Sequence, residues 1–595
     1  MIRKKMMTTE NIKNLILSRV EEAALKLFGQ KPKIFDLTYP PDVNLGDFTI
    51  ECFSFAKEFK KSPEEIAKNL AEAIKLDKVI KEIQAVGPYL NFKVDKALLF
   101  KEVLEEIFKK EKPRSIPLKR ELRGRQIMVE YLSPNTNKPL HLGHIRNGVL
   151  GMAISRLMES IGYKVIKANL INDRGIHICQ SMLAWQKWGN GETPELAGIK
   201  GDYFVGQWYV KYHQEANKSL EAKEQLEKEA QEMLQKWEAV DSETIKLWKM
   251  MNEWVYRGFE KTYKELGLEF DVFNHESETY KSGKEIVETG LLKKGIFKKT
   301  DDGAIIAELE NEQKITLLRA DGTSVYITQD LGTAKLRFDN YHLDKLIYVV
   351  GVEQDFHFKN LFKILKMLGF KWVDKLRHLS YGMVNLPEGK MKSREGKVID
   401  ADDLIGGMKE LAAEEIRKRH PELAPEEIIK RAKKIGVGAI KFYLLRVKPN
   451  QEINFNPEES ISFDGFTGPY VQYAFARASG IIKKIQENNL RTYDVLRLEN
   501  VDFSVLKDEK EMILLRCLIQ FPEKIKSAVD EFNPSVVAEH IFEIAKAFNN
   551  FYVFCPVLAA ENEKLIKARL ALVRAVAIVL KKGLNLLGIE DLEEM

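Results

Sequence analysis

The sequence predicts an α/β protein with a parallel-sheet core, a small α/β domain before it and an all-helical bundle after it. Three observations predict this. Strand-like apolar runs alternate with helical patterns through the middle of the chain. Capped helices and an alternating strand occupy residues 1–115, and from Phe463 onward the apolar spacing is helical to the end.

The N-terminal domain opens on a helical stripe (Ile12, Leu15, Ile16, Val20, Ala23, Leu27), followed by a turn-rich stretch at 39–48. Ser62-Pro63-Glu64-Glu65 supplies an N-cap, a proline at the first helical position and a capping-box glutamate. Residues 87–94 alternate like a strand with one buried face. A basic, proline-bearing linker lies at 112–117. The core, 116–400, starts with the apolar run 126–131, which reads as a buried strand, and a helical pattern follows from Val149. A second strand covers 164–171 and ends at Asn172-Asp173-Arg174-Gly175. Residues 183–262 are charged, Trp-rich and helical, an insertion splitting the core. The parallel-sheet pattern resumes at 346–351 and 376–382, making the core Rossmann-like. A helical stem is predicted over 401–462 and the bundle over 463–595.

Hydrophobic residues make up 45% of the 595 and charged residues 30%, the balance of a globular chain that buries several cores. A net charge of +5 is compatible with a polyanionic partner without requiring one. Cys52, Cys179, Cys517 and Cys555 are too scattered for a zinc site or a disulfide framework, which points to a reducing compartment. No apolar run approaches membrane-spanning length, and the basic start has no apolar stretch behind it, so a cytoplasmic protein is expected.

The chemistry concentrates where the first core strand turns into a helix, at S-P-N-T-N-K-P-L-H-L-G-H (133–144). A strand, a tight turn and a helix start form an anion site, because free backbone N–H groups and the helix dipole point at the ligand. His141 and His144 lie three apart, so both imidazoles project to one side, and Gly143 between them lets a flat ring approach the backbone. Far downstream comes Lys390-Met391-Lys392-Ser393. Ligands in open α/β sheets sit at the carboxyl ends of the strands, where Gly351, Gln354 and Asp355 fall.

The H-x-G-H and K-M-x-S segments together resemble the two signatures of class I aminoacyl-tRNA synthetases. Further segments resemble arginyl-tRNA synthetases in particular: S-P-N-x-x-K-P before the H-x-G-H, F-D-V-x-x-x-E-S at 270–277, Y-x-x-x-D at 326–330 and E-Q-D-x-H at 353–357. G-P-Y-L-N-F at 87–92 and T-G-P-Y-V-Q-Y at 467–473 extend the likeness to both flanks. The resemblance implies two steps: arginine attacks the α-phosphate of ATP, supplied with Mg2+ as a substrate complex, and a ribose hydroxyl of the tRNA terminal adenosine takes the arginyl group. No metal cofactor held by the protein is implied, and the enzyme would be a monomer. Competing readings are a cysteinyl or glutaminyl enzyme, a non-catalytic tRNA-binding paralogue, or a small nucleotidyltransferase. Absent zinc-ligand cysteines, two candidate pocket acids, intact signatures and tRNA-like flanks weigh against each in turn.

The resemblance assigns His141, His144, Lys138, Lys390 and Lys392 to catalysis, and His141, Gly143, His144, Gly351, Met391 and Ser393 to ATP. Ser133, Asn135, His141, Glu276, Tyr326, Asp330 and Gln354 would hold arginine, two acids suiting a planar guanidinium fork. Tyr89, Asn91, Tyr470, Tyr473, Tyr552 and Met595 would contact tRNA, aromatic faces suiting unpaired bases. A tryptophan found one turn beyond the Tyr552 position in some members is missing here. The signature loop also departs from K-M-S-K: Ser393 occupies the second lysine's place. By resemblance Lys138 replaces that charge, with Lys392 on a shifted loop as the alternative; a rigidly held group preorganises better. Lys138→Ala is therefore expected to slow adenylate formation far more than Lys392→Ala, and ATP–pyrophosphate exchange with the two variants checks it.

Overall fold

The computed structural model describes residues 8–109, 124–292, 295–310, 313–386, 399–487 and 498–595. In the N-terminal domain, β1 (Phe48–Glu51), β2 (Ile80–Val86) and β3 (Tyr89–Val94) make an antiparallel sheet of order β1-β3-β2. Ser62 caps the helix Pro63–Ala73 by accepting from the Glu65 N–H, while the Glu65 carboxylate pairs with Lys61 instead of closing a reciprocal box. β3 does not alternate cleanly: Leu90, Asn91 and Phe92 are all buried at the centre of the sheet, where β1 and β2 flank the strand on both edges.

The core contributes β4 (Gln126–Glu130), β5 (Lys164–Ile171) and β6 (Val272–His275). A small antiparallel sheet follows, of β7 (Phe297–Lys299), β8 (Ile305–Glu308) and β9 (Lys314–Leu318), and then β10 (Lys345–Gly351) and β11 (Leu376–Tyr381). The main sheet is parallel throughout, in the order β11-β10-β4-β5-β6. The chain leaves β4 in one direction through β5 and β6, then crosses back to lay β10 on the other side. The crevice where strand order reverses, the place such sheets bind ligands, therefore opens between the ends of β4 and β10. The crossover from β5 to β6 is helical from Ile176 to Leu266, wider than the 183–262 expected, and the β7–β9 sheet had no counterpart in the sequence reading.

The helix after β4, Leu142–Ile161, is called the signature helix below; it lies hard against the sheet. A Cβ at Gly151 would sit 2.2 Å from the Tyr131 ring. Two further helices, Glu276–Leu292 after β6 and Tyr326–Tyr341 after β9, pack together on the other side. One buried side chain joins three of these elements. Arg337, on the helix Tyr326–Tyr341, pairs with Glu130 at the end of β4, and donates from Nε and Nη2 to Asn274 Oδ1 on β6 at 3.1 and 3.0 Å. Beyond the core, the stem helices Ala401–Arg419 and Pro425–Leu445 lead to β13 (Ile453–Asn454), which returns to pair with β12 (Val384–Asn385). Four helices complete the bundle: Gly468–Glu487, Glu509–Asp530, Ser535–Phe554 and Glu563–Leu586. Among the described residues no helix is long and apolar enough to cross a membrane.

Removing one partner of a buried ion pair strands the other charge. Arg337→Met should lower stability by about 3–5 kcal/mol in urea denaturation, and adding Glu130→Leu should recover most of that loss.

Candidate active site

The turn from β4 into the signature helix runs through two consecutive non-glycine residues in the left-handed region, Leu132 (φ 80°) and Ser133 (φ 46°). Two buried asparagines hold this strained backbone: Leu132 N–H donates to Asn147 Oδ1 at 2.6 Å and Ser133 N–H to Asn169 Oδ1 at 3.2 Å. Asn135 and Asn172 then bridge the two strand ends. Pro139, next to half-buried Lys138, rests on Gly206 of the helical crossover, where a Cβ would lie 2.8 Å from the proline ring. Burial lowers the Lys138 ammonium's pKa from its ordinary value.

The histidines use the helix start differently from the expectation of free N–H groups. His141 Nδ1 accepts from Gly143 N–H at 3.1 Å, His144 Nδ1 accepts from His141 N–H at 3.2 Å, and the rings stand 3.9 Å apart. Leu142 N–H is taken by Ile399 O and His144 N–H by His141 O. The helix start is thus capped by its own side chains and by the chain returning at 399–401, which also pairs Asp400 with His141. Burial, followed by the nearby Lys138 charge, pushes His141 down to about 4; His144 lies well below its ordinary value through burial and then His141. Both rings are neutral at pH 7, and because each Nδ1 accepts, each proton resides on Nε2. The turn thus offers two Nε2–H donors in place of the bare backbone amides expected from the sequence. Gly143 matters here because a Cβ would lie 3.0 Å from His141 Cε1, crowding the ring that folds over it. Lys390, Met391, Lys392 and Ser393 lie outside the described residues.

At the carboxyl end of β6 stand two neighbouring acids, Glu276 and Asp330. Glu276 opens its helix with 5% exposure and makes no ion pair among the described residues. Burial, then the charges of Asp330 and Asp173, raise its carboxyl to about 8. Asp330 Oδ2 lies 2.5 Å from His357 Nε2, and this carboxylate raises the His357 pKa against the opposing effect of burial. Tyr326, 62% exposed, begins the helix that carries Asp330. Gly351, at the end of β10, is buried, and Gln354 is exposed on the turn that follows.

Sequence reasoning missed the residues that aim these groups. Asp173 accepts from the Ser277 N–H (2.9 Å), the Ser277 hydroxyl (2.8 Å) and Tyr256 (3.1 Å), capping the helix that Glu276 begins. Gln329, with its amide nitrogen turned to the carboxylate, donates to Glu276 Oε1 at 3.0 Å and accepts from Arg174 at 3.2 Å. The position of N-D-R-G at a strand's carboxyl end was the available signal for Asp173 and Arg174.

The positions expected to meet tRNA divide. Tyr89 is exposed and meets Phe53 edge-on at 6.0 Å, whereas Asn91 is buried at 3% with its Oδ1 unpartnered. Tyr473 and Tyr552 are brought together by Arg477, whose guanidinium lies 4.6 and 4.9 Å from the two rings. Tyr470 instead packs on Phe542 at 5.2 Å, and Met595 packs against the core.

Comparison with known proteins matches this arrangement along most of the chain. Residues 110–456 match the model for tRNA synthetases class I (R), catalytic domain; residues 10–94 match the arginyl tRNA synthetase N terminal domain and residues 471–595 the DALR anticodon binding domain. The chain is 44% identical over 571 residues to an arginine–tRNA ligase of Treponema denticola, covering 95% of each. It is 44% identical over 572 residues to that of Parabacteroides distasonis, covering 92% of this chain and 94% of the relative. Thermus thermophilus arginyl-tRNA synthetase superposes with a TM-score of 0.76 at 25% identity, over 98% of this chain and all of that one. The Plasmodium falciparum enzyme shares the fold, with a TM-score of 0.76 at 19% identity over 98% and 99% of the two chains.

The raised Glu276 carboxyl sets a pH dependence. A bound cation favours the ionised form, so a ligand guanidinium in this slot should release close to one proton at pH 7, with affinity rising up to about pH 8 and level above it. Calorimetry in two buffers of different ionisation enthalpy measures the release. Without the cation the sign for stability is opposite: between the ordinary 4.5 and about 8 the folded protein holds a proton the unfolded chain has lost, so stability falls as pH rises across that window.

Proposed function

The chain belongs to the arginyl-tRNA synthetase family of class I, activating arginine with ATP and charging tRNA with it, and we propose which of its residues carry the two steps. The observation that carries the assignment is the buried Glu276, without an ion-pair partner among the described residues, beside Asp330 at the same carboxyl edge of the sheet as the self-capped pair of neutral histidines. A planar cation supplies what this slot lacks. The guanidinium sits between Glu276 and Asp330, with Tyr326 as the exposed wall, while Ser133, Asn135, His141 and Gln354 take the α-amino and carboxylate groups. His357 keeps Asp330 aimed, and Asp173 and Gln329 do the same for Glu276.

ATP enters as its Mg2+ complex beside Gly143 and Gly351, at the strand-order reversal. The attacking carboxylate needs no enzymic base, so the protein's work is positioning and neutralisation of charge spreading over the phosphates. The Nε2–H groups of His141 and His144 donate to phosphate oxygens, and Lys138 supplies a fixed cation. Lys390 and Lys392 add charge from the signature loop, where Met391 and Ser393 also meet the nucleotide. Neutral imidazoles suit donation and not proton transfer, because a ring that titrates near 4 does not pick up a proton at pH 7. The pyrophosphate leaves; the tRNA hydroxyl then attacks the activated carbonyl, breaking its bond to the adenylate phosphate, so that AMP departs and the hydroxyl proton is lost.

For tRNA, support is strongest for Tyr89 in the N-terminal domain and for Tyr473 and Tyr552, joined by Arg477, in the bundle. Asn91, buried on the central strand β3, has the least support, and Tyr470 and Met595 pack inward behind the face. The reading takes the enzyme to be cytoplasmic, from its scattered cysteines and the lack of a membrane-length apolar run, and a monomer, as the resemblance implies.

Asp330→Asn should weaken arginine binding by about 2–5 kcal/mol while leaving ATP affinity within twofold, because an unpaired guanidinium in the slot keeps its desolvation cost. Equilibrium dialysis with labelled arginine measures it. An unchanged arginine affinity would reject the slot as the arginine site.

A further inference from the structure

The last bundle helix, Glu563–Leu586, ends on the signature helix. Arg156, on the signature helix, donates from Nη1 to Asn585 O at 2.7 Å and to its Oδ1 at 3.1 Å. Lys441, on the stem helix Pro425–Leu445, has 3% exposure and donates its ammonium to Gly588 O. Among the described residues neither cation has a carboxylate within ion-pair distance; both point at the carbonyl end of a helix, where the macrodipole is negative. Gly588 (φ 71°) closes the contact, since a Cβ there would lie 2.1 Å from Met152 Cε on the signature helix.

From that cap the chain runs straight to the tyrosine face. Glu590 O accepts from Gln472 Nε2 at 2.9 Å, and the Glu590 carboxylate is 3.4 Å from Lys434. Glu594 pairs with Arg431 at 3.2 Å and with Lys483. Gln472 is buried and immediately precedes Tyr473, on the helix that also carries Arg477. A few residues of backbone thus link the face assigned to tRNA with the helix that begins at His141 and His144.

We propose that Arg156 and Lys441 are positioning residues for the charging reaction, seating the carboxyl end of the last bundle helix on the signature helix so that RNA on the bundle bears on the histidine pair. This rests on the reading that the Tyr473–Arg477–Tyr552 face binds tRNA. Packed contacts of this kind are a route by which two sites are coupled, and a rate ratio measures whether they are.

The test compares charging of intact tRNA with charging of a tRNA lacking the anticodon stem-loop, by the wild type, Arg156→Gln, Lys441→Met and Arg156→Lys. The wild type should show a higher kcat on the intact RNA. In Arg156→Gln and Lys441→Met that kcat ratio should fall at least about fivefold, with the KM for arginine and ATP unchanged, and Arg156→Lys should recover part of it. A purely structural role would instead lower the melting temperature, or slow both RNAs equally. Arg156 is partly exposed, so its variant remains decisive if Lys441→Met does not fold. A wild-type ratio near one, or a ratio kept in the folded variants, would overturn the proposal. The tRNA affinity of Tyr473→Ala tests the face separately: an unchanged value retires that reading alone.

Discussion

A single guanidinium sets the geometry on which the catalytic core depends. Arg337 sits on the helix that carries Tyr326 and Asp330, grips Glu130 where β4 turns toward the histidines, and grips Asn274 just before Glu276. Three elements distant in sequence, each leading into one of the residues proposed to bind substrate, are pinned at one point. Desolvating the pair cancels much of its attraction, so its worth lies in register more than in stability. A hydrophobic replacement could hold the helix to the sheet without fixing where along the strands it stops.

Around that clamp acids and donors are kept in separate groups. On one side burial, and then the charges of Asp330 and Asp173, push the Glu276 carboxyl up to about 8; on the other stand two neutral imidazoles and a half-buried lysine. Burial thus keeps both halves close to neutral in the resting protein, Glu276 holding its proton until a cation displaces it. Donors and acceptors already held in place need no rearrangement when charge develops on the phosphates.

Much of this was legible in the sequence, because motifs are local. A histidine pair at a helix start, a tyrosine one turn before an aspartate, and proline after a capping serine are each written within a few residues. What stayed hidden was of longer range. Nothing near Arg337 in the chain names Glu130, and Arg477 becomes meaningful only once Tyr552 is folded against it. The helix start misled for a subtler reason: orphan N–H groups are a property of any helix, but the side chains that claim them here are the same histidines that were to meet the ligand. Asn91 read as an exposed amide because alternation assumes one wet face, and β3 has none at its centre.

The left-handed pair at Leu132 and Ser133 carries a consequence for how the core matures. Neither residue favours that backbone alone, and the amides that hold it come from Asn147 and Asn169, on the next helix and the next strand. The bend can form only after its neighbours have docked. In a newly made chain the catalytic crevice should be among the last regions of the core to acquire slow amide exchange, well after the sheet beneath it.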